Sequence, residues 1–345
     1  MKRVLVVDDN LTTLQYVSMQ LSQSYRLLLA KSGYQALEIA RKQFPDIILL
    51  DADMPEMDGF ATLTALNADA TLSRIPVIFL TANHDIKTHV RALEAGAADF
   101  IKKPFEREVL LHRVALHLRI SRYQQHLEST VKEIESTIVD SFADLIGCRE
   151  DYNGGHVQRT KKYMHALALA LQERDVYAGE LTLQEIELMV QAAPLHDIGK
   201  IGISDALILK PGRLTDEERT IVRTHTIIGA RALENIYERI PTQQYLRYAI
   251  IMAEGHHEHY DGSGYPYGLS RNDIPLCNRL LAVVNVYDAL INDSVYRKAL
   301  SHDDACRVLA EGRGSEFDPR ILDIFLEIHD VFATIYETVP REKVL

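Results

Sequence analysis

The sequence predicts two folds in tandem, a doubly wound α/β sheet followed by an all-helical unit. Three observations predict this. Over the first 120 residues, short apolar runs without polar alternation recur between helical stretches, as in a parallel sheet covered on both faces. From about residue 140 onward, helix-period patterns replace them. The chain also has 345 residues, more than one ordinary core holds.

In order, Val4-Leu5-Val6-Val7 reads as a strand ended by Asp8-Asp9 at the carboxyl edge, where open α/β sheets bind ligands. A helix is expected over about Thr12 to Gln23, a strand from Leu27 to Ala30, and a helix near Tyr34 to Gln43. The strand from Asp46 to Leu50 ends in Asp51, and a helix follows near Gly59 to Ala68. Val77 to Leu80 is a strand ending at Thr81, followed by a helix near Lys87 to Ala95. Phe100-Ile101 then leads to Lys102-Lys103-Pro104, whose Lys-Pro bond is expected to be cis. Asp8, Asp9, Asp51, Thr81 and Lys103 therefore share one sheet edge. Three carboxylates there suit a hard cation such as Mg2+. The cation, Lys103 and the Thr81 hydroxyl would neutralise a phosphoryl group transferred to one carboxylate.

From Phe105 to about Gly147 helix formers dominate, and Leu127, Val131, Ile134 and Ile138 recur at coiled-coil spacing. Such a stripe pairs with a second chain, making a homodimer, or packs on a flanking domain. The residues alone leave both open. In a dimer, a signal could pass through a change in geometry.

The helical part is organised around Ala193-Pro194-Leu195-His196-Asp197-Ile198-Gly199-Lys200. An adjacent His-Asp pair on consecutive helical positions can bridge two cations, and Lys200 places positive charge one turn on. His225, the pair His256-His257, Asn285 and Asp288 follow, and His156 stands upstream after a Gly-Gly turn. So many imidazoles around one acidic ligand point to a metal centre. A helix from Leu181 to Ala193 is expected to run into His196-Asp197. Thr215-x-x-Glu218 reads as a capping box opening the helix that carries His225. A helix from Tyr245 to His257 delivers the paired histidines, and Asp261 to Gly268 is too glycine-rich for anything but a shaped loop. The helix Asn278 to Ile291 follows Pro275.

The first half resembles the receiver domain of two-component response regulators, through Asp8-Asp9, the phrase DADMPEMDG from Asp51 to Gly59, Thr81 and Lys103-Pro104. The resemblance implies a flavodoxin-like fold, with Asp51 phosphorylated at the expense of a sensor histidine kinase. Asp8 and Asp9, with Asp51, would hold Mg2+, Thr81 and Lys103 would contact the phosphoryl group, and Phe100 would be the aromatic switch. Over about residues 140–335 the chain resembles the HD-GYP domain, an all-α phosphohydrolase fold of the HD superfamily that cleaves cyclic di-GMP. The match rests on GGHVQR, APLHDIGKIGI, ILKPGRLT, His225 and HHEHYDGSGYP, with Gly264-Tyr265-Pro266 as the namesake. It implies metal ligands His156, His196, Asp197, His225, His256, His257 and Asn285, with Asp197 bridging two transition-metal ions (iron, manganese, nickel or zinc). His196, Asp197 and Lys200 would be catalytic, and Lys200, Tyr265 and Arg297 would face the substrate. The expected layout is a receiver over 1–120, a helical connector over 121–140 and an HD-GYP domain over 141–345.

The expected function is hydrolysis of cyclic di-GMP to pGpG or GMP under control of Asp51 phosphorylation. The alternative is a catalytically weak module that senses dinucleotide or phosphorylation through protein partners. Three departures from the family pattern bear on the choice. Tyr152 stands where members with a third metal carry Glu. Asn285 replaces the usual last Asp ligand, keeping an oxygen but losing the charge. Ser294-Val295 replaces Arg-Pro, removing a cation.

Composition agrees with a globular protein, at 47% hydrophobic and 25% charged residues. A net charge of -11 argues against binding nucleic acid through a basic surface, and no DNA-reading signal stands out among the helices. The three cysteines (Cys148, Cys277, Cys306) are scattered, as reduced thiols in a cytoplasm would be. Only four apolar residues follow Met1-Lys2-Arg3 before Asp8, so no signal peptide and no membrane insertion are expected. His259 reads as a solvated loop side chain. His84, His89, His112, His117, His126, His165, His302 and His329 match no pattern.

Overall fold

The computed structural model describes residues 1–82, 86–147, 155–293 and 298–340, which fall into two compact units, Met1–Lys132 and Glu133–Leu345. In the first unit β1 (Arg3–Val7), α1 (Leu11–Leu21), β2 (Arg26–Ala30), α2 (Gly33–Gln43) and β3 (Ile47–Asp51) come first. They are followed by α3 (Gly59–Asn67), β4 (Val77–Thr81), α4 (Ile86–Glu94), β5 (Asp99–Lys102) and α5 (Arg107–Gly147). The strands form one parallel sheet in the order β2-β1-β3-β4-β5. Because β1, β3 and β4 are central, they are buried on both faces, which explains their unalternating apolar runs. Side chains of alternate residues feed two cores: Leu5, Ile48 and Phe79 on one face, and Val6, Leu49 and Leu80 on the other.

Helix starts follow side-chain caps. The Asn10 carboxamide oxygen accepts from the Thr12 amide at 2.8 Å, and the Asp58 carboxylate accepts from Ala61 at 2.7 Å. The expected helix ends shift by a residue or two, as terminal turns usually do. The Lys103–Pro104 bond is cis, as expected. The division between the units falls inside α5, between Lys132 and Glu133.

The second unit is helical: α6 (His156–Glu173), α7 (Leu183–Ala192), α8 (Asp205–Ile208), α9 (Asp216–Arg223) and α10 (His225–Arg239). It continues with α11 (Tyr245–Gly255), α12 (Leu276–Ile291), α13 (His302–Glu311) and α14 (Pro319–Thr338). Tyr163, Leu167 and Leu171 of α6 are fully buried against α12 and α14, where Tyr287, Phe325 and Phe332 form an aromatic cluster. Among the described residues, no helix is long and apolar enough to cross a membrane.

Three local expectations are corrected. His196-Asp197 is not on a continuation of α7: tight 3-10 turns at Ala193–Leu195 and Ile198–Gly202 flank it. Pro194, which has no amide hydrogen to donate, stands inside the first of them. The capping-box helix α9 ends at Arg223, and His225 opens the next helix instead of riding on the first. Helix α11 stops at Gly255, so His256 is its C-cap and His257 lies beyond. These five ligand candidates, His196, Asp197, His225, His256 and His257, thus sit at helix ends or in turns, where backbone orientation is free of the 100° helical step.

The turn after Asp197 lies against the start of α10 through Gly199. A Cβ there would stand 1.8 Å from the His225 carbonyl oxygen and 2.5 Å from the Gly229 amide nitrogen. Backbone cannot swing aside as a side chain can. Gly199→Ala is therefore expected to destabilise the second unit by about 3 kcal/mol, the upper range for overpacking, read as a lower denaturant midpoint at unchanged slope.

Candidate functional site

Two clusters form, one in each unit. At the carboxyl edge of the sheet, Asp8 is fully buried, Asp51 and Thr81 are nearly so, and Asp9 is exposed. One oxygen from each of the three aspartates lies within 4.8 Å of the others. The Lys103 ammonium donates to Asp8 Oδ2 at 2.7 Å and sits 2.9 Å from Asp51 Oδ1. Burial first, and then the neighbouring Asp8 charge, push the Asp51 carboxyl up to about 6. Burial works against the Lys103 charge, but the two carboxylates outweigh it and hold the ammonium above its usual range. Crowded carboxylates with exposed Asp9 at the rim make a donor set suited to Mg2+. Phe100 lies half-buried on β5 against the core.

The second cluster is built on Asp197. His225 Nε2 and His256 Nε2 each lie 3.5 Å from Asp197 Oδ1, and His196 Nε2 lies 3.2 Å from Oδ2. His225, His256 and His257 each bring a nitrogen within 4.8 Å of that carboxylate and of one another. Lys200 donates to Asp197 Oδ2 at 2.8 Å. Three rings are held from behind. His196 Nδ1–H donates to the Ala193 carbonyl at 2.8 Å, His225 Nδ1–H to Val222 at 2.7 Å, and His256 Nδ1–H to Met252 at 2.9 Å. A carbonyl can only accept, so Nδ1 carries the proton and the Nε2 lone pair turns toward Asp197.

Electrostatics match this picture. Although burial acts against its charge, Asp197 is held well below the usual carboxylate range by Lys200 and His196. Burial lowers His225, takes His256 down to about 4, and takes His257 well below its ordinary value. His196 is raised, because the Asp197 charge outweighs its burial. Near neutral pH the ionised Asp197 therefore faces three imidazoles, His225, His256 and His257, that are shifted toward their neutral form. His196 Nε2 and Asp197 Oδ1 are buried and make no well-aligned hydrogen bond. Buried polar atoms left this way are costly, and a shared cation would satisfy both. The residues present therefore fit a metal centre.

His156 approaches from α6, with its ring centroid 6.0 Å from that of His196. Its Nδ1 meets Asp288 Oδ2 at 2.7 Å. Arg159 Nε donates to Asp288 Oδ1 at 2.6 Å, and Nη2 donates to Oδ2 at 3.1 Å. Both Asp288 oxygens thus hold His156 and Arg159, which gives Asp288 a positioning part toward His156. Asn285 lies half-buried one turn earlier on α12.

Tyr265 stacks on His257 with centroids 4.7 Å apart, and the Arg223 guanidinium lies 4.6 Å from the Tyr265 ring centre. The loop is shaped by Glu258, which is buried and accepts from the Tyr267 and Leu269 amides at 2.7 and 2.9 Å. At Gly264 a Cβ would come within 2.3 Å of the His259 amide nitrogen, so only glycine fits that approach. His259 stays outside the cluster and contacts Ser263. Arg159, Glu258 and Arg223 escaped the sequence reading. The available signal for Arg159 was its place on the buried face of α6. Tyr152, Ser294, Val295 and Arg297 lie outside the described residues.

A model of the HD domain matches residues 140–321, and a model of the response regulator receiver domain matches residues 4–115. The chain is 39% identical to a "Probable cyclic di-GMP phosphodiesterase" of Vibrio cholerae, over 99% of this chain and 80% of that one. It is 32% identical to the "Cyclic di-GMP phosphodiesterase response regulator RpfG" of Xanthomonas campestris, over 94% and 86% of the two chains. A "Cyclic di-GMP phosphodiesterase" of Thermotoga maritima is 30% identical over 99% and 93%.

Asp288 and Arg159 are both completely buried, so removing one charge strands the other. Asp288→Asn is expected to cost about 3 kcal/mol in urea denaturation and to lower metal content by loosening His156.

Proposed function

The chain belongs to the response regulators that join a receiver domain to an HD domain, and from that membership we propose a cyclic di-GMP phosphodiesterase controlled by phosphorylation of Asp51. The observation that carries this reading is the cluster of Asp197 and histidines fixed through Nδ1. Its relatives' names supply the substrate. The proposed layout is a receiver over residues 1–120, a connector over 121–140 and the hydrolase over 141–345.

In this reading His156, His196, Asp197, His225, His256, His257 and Asn285 hold two transition-metal ions, drawn from iron, manganese, nickel and zinc. When bound, such ions supply a water-derived nucleophile at neutral pH and positive charge for the phosphoryl oxygens. Asp197 contributes the anionic ligand, and its depressed pKa keeps it ionised. Lys200 faces the same carboxylate and presents an ammonium to a substrate phosphate. Tyr265, clamped between His257 and Arg223, forms an aromatic wall, with Arg297 as a further substrate-side cation. The products are pGpG or GMP.

In the receiver, Asp8, Asp9 and Asp51 hold Mg2+, and Asp51 takes the phosphoryl group from a sensor histidine kinase. Thr81 and Lys103 contact that group, and Phe100 is the switch residue. Leu127 (65% exposed), Val131 (45%), Ile134 (52%) and Ile138 (50%) keep an apolar stripe at the surface of α5, which supports pairing with a second chain.

The test is metal content of anaerobically purified protein together with cyclic di-GMP turnover, with His196→Ala as control. Two ions per chain and a loss of turnover on the order of 100-fold in the control are expected. Two ions without turnover would favour a module signalling through partners, and no ions would sink the hydrolase reading. The same assays and light scattering, with acetyl phosphate and the Asp51→Asn variant, test control and pairing: a response surviving the substitution overturns the first. Asn285→Asp restores a charged ligand and is expected to raise metal occupancy and turnover. Unchanged values would remove Asn285 from the ligand set.

A further inference from the structure

We propose that His302, Cys306 and His329 form a second metal site in the helical unit, taking a borderline divalent cation of the zinc class. It is separate from the Asp197 cluster and does not rest on the function proposed above. The sequence pattern gave no role to either histidine, because the third donor comes from another helix. His302 and Cys306 stand one turn apart on α13, on the same face, and α14 brings His329 to them. His302 Nε2 lies 2.9 Å from His329 Nδ1 and 3.8 Å from Cys306 Sγ. One ligand atom from each of the three residues lies within 4.8 Å of the other two.

A tetrahedral zinc ion with bonds of about 2.0–2.1 Å to nitrogen and about 2.3 Å to sulfur sets its ligands about 3.3 Å apart for N and N and about 3.6 Å for N and S. The two observed separations lie on either side of these values, within a few tenths of an ångström. Side-chain torsions alone can make that adjustment. His302 is also oriented from behind: its Nδ1 lies 2.8 Å from the hydroxyl of Tyr287, a fully buried residue. With Nδ1–H donating to the phenol oxygen, the Nε2 lone pair faces Cys306 and His329, as in metal-binding histidines.

The competing arrangement is a proton shared between the two imidazoles. Cys306 is what favours a metal ion over that proton, since a thiol adds little to a hydrogen-bonded histidine pair but is a strong ligand for a borderline ion. Burial, then the charges of Asp303 and Asp330, hold the Cys306 thiol up at about 11, so the ion must displace that proton to solvent. The same two carboxylates draw a cation to the spot. Asp330 Oδ1, 3.5 Å from His329 Nδ1, is placed to be a fourth ligand or to hold a water that is. All three donors are half-buried, which leaves a route for the ion to enter.

Cobalt(II) added to the metal-stripped full-length protein tests this directly. The Asp197 cluster contains no sulfur ligand, so a near-ultraviolet thiolate-to-cobalt charge-transfer band reports the second site alone. The wild type is expected to show that band, and one equivalent of Zn2+ beyond the first centre should erase it. Cys306→Ser should lose the band and bind one fewer ion, with an unchanged circular dichroism spectrum. His329→Gln, which keeps the thiol, should weaken cobalt binding at least tenfold. No band in the wild type, or a band that survives in Cys306→Ser, overturns the proposal.

Discussion

A carboxylate taken out of water must be answered by nearby positive charge or by donors, or the fold will not tolerate it. Asp197 is that carboxylate, and most of the helical unit's local oddities serve it. Three histidines turn their Nε2 atoms toward it because their Nδ1 hydrogens are spent on carbonyls of the preceding turn. Those carbonyls exist at the right place because His196, His225 and His256 each stand at a helix end or in a tight turn. Gly199 lets the turn after Asp197 press against the backbone of α10.

The sheet edge of the first unit solves a related problem with different chemistry. There the anions are three carboxylates on a shared edge, and the resident cation is Lys103, poised between Asp8 and Asp51. Oxygen-only donors select a hard ion, whereas imidazoles around a single carboxylate select a borderline one. Asp51 is raised by burial, whereas Asp197 is depressed in spite of it, although both are aspartates beside a lysine. The difference lies in company: Asp51 has Asp8 as a like-charged neighbour, and Asp197 has Lys200 and His196.

The fold class was legible because it depends on local periodicity. Short unalternating runs such as Ile47 to Leu50, bounded by turn residues, read as central strands of a covered sheet, and the order of strands and helices follows. The residues of both clusters were legible as well, since chemistry-bearing side chains stand at strand ends and in recognisable phrases. What stayed hidden was anything decided by two distant segments at once. In the sequence Asp288 is one more carboxylate a turn after Asn285, and its tie to Arg159, 129 residues earlier, shows only in the fold. Glu258 sits inside a quoted phrase, yet its task of accepting two loop amides depends on how the chain returns at Tyr267 and Leu269. The helix ends around His196, His225 and His256 were misjudged because caps and tight turns obey tertiary packing more than propensity.

The pairing of Asp288 also decides what Asn285 means. The two residues stand one turn apart on α12, which places the Asp288 carboxylate near the amide at 285 in sequence. Its charge is already answered elsewhere, because Oδ1 is bound to Arg159 while Oδ2 bridges Arg159 and His156, all inside the core. Freeing either oxygen would strand a fully buried guanidinium. The negative charge of the Asp197 cluster therefore rests on that one carboxylate, with the nitrogens of His225, His256 and His257 around it. Two divalent ions held by one carboxylate would leave the site strongly positive. Such a site binds its ions less tightly than one with two carboxylates, but it attracts an anionic phosphodiester more strongly. In the proposed hydrolase an amide at 285 would therefore trade metal affinity for electrostatic pull on the substrate, and Lys200 would add to the same sign.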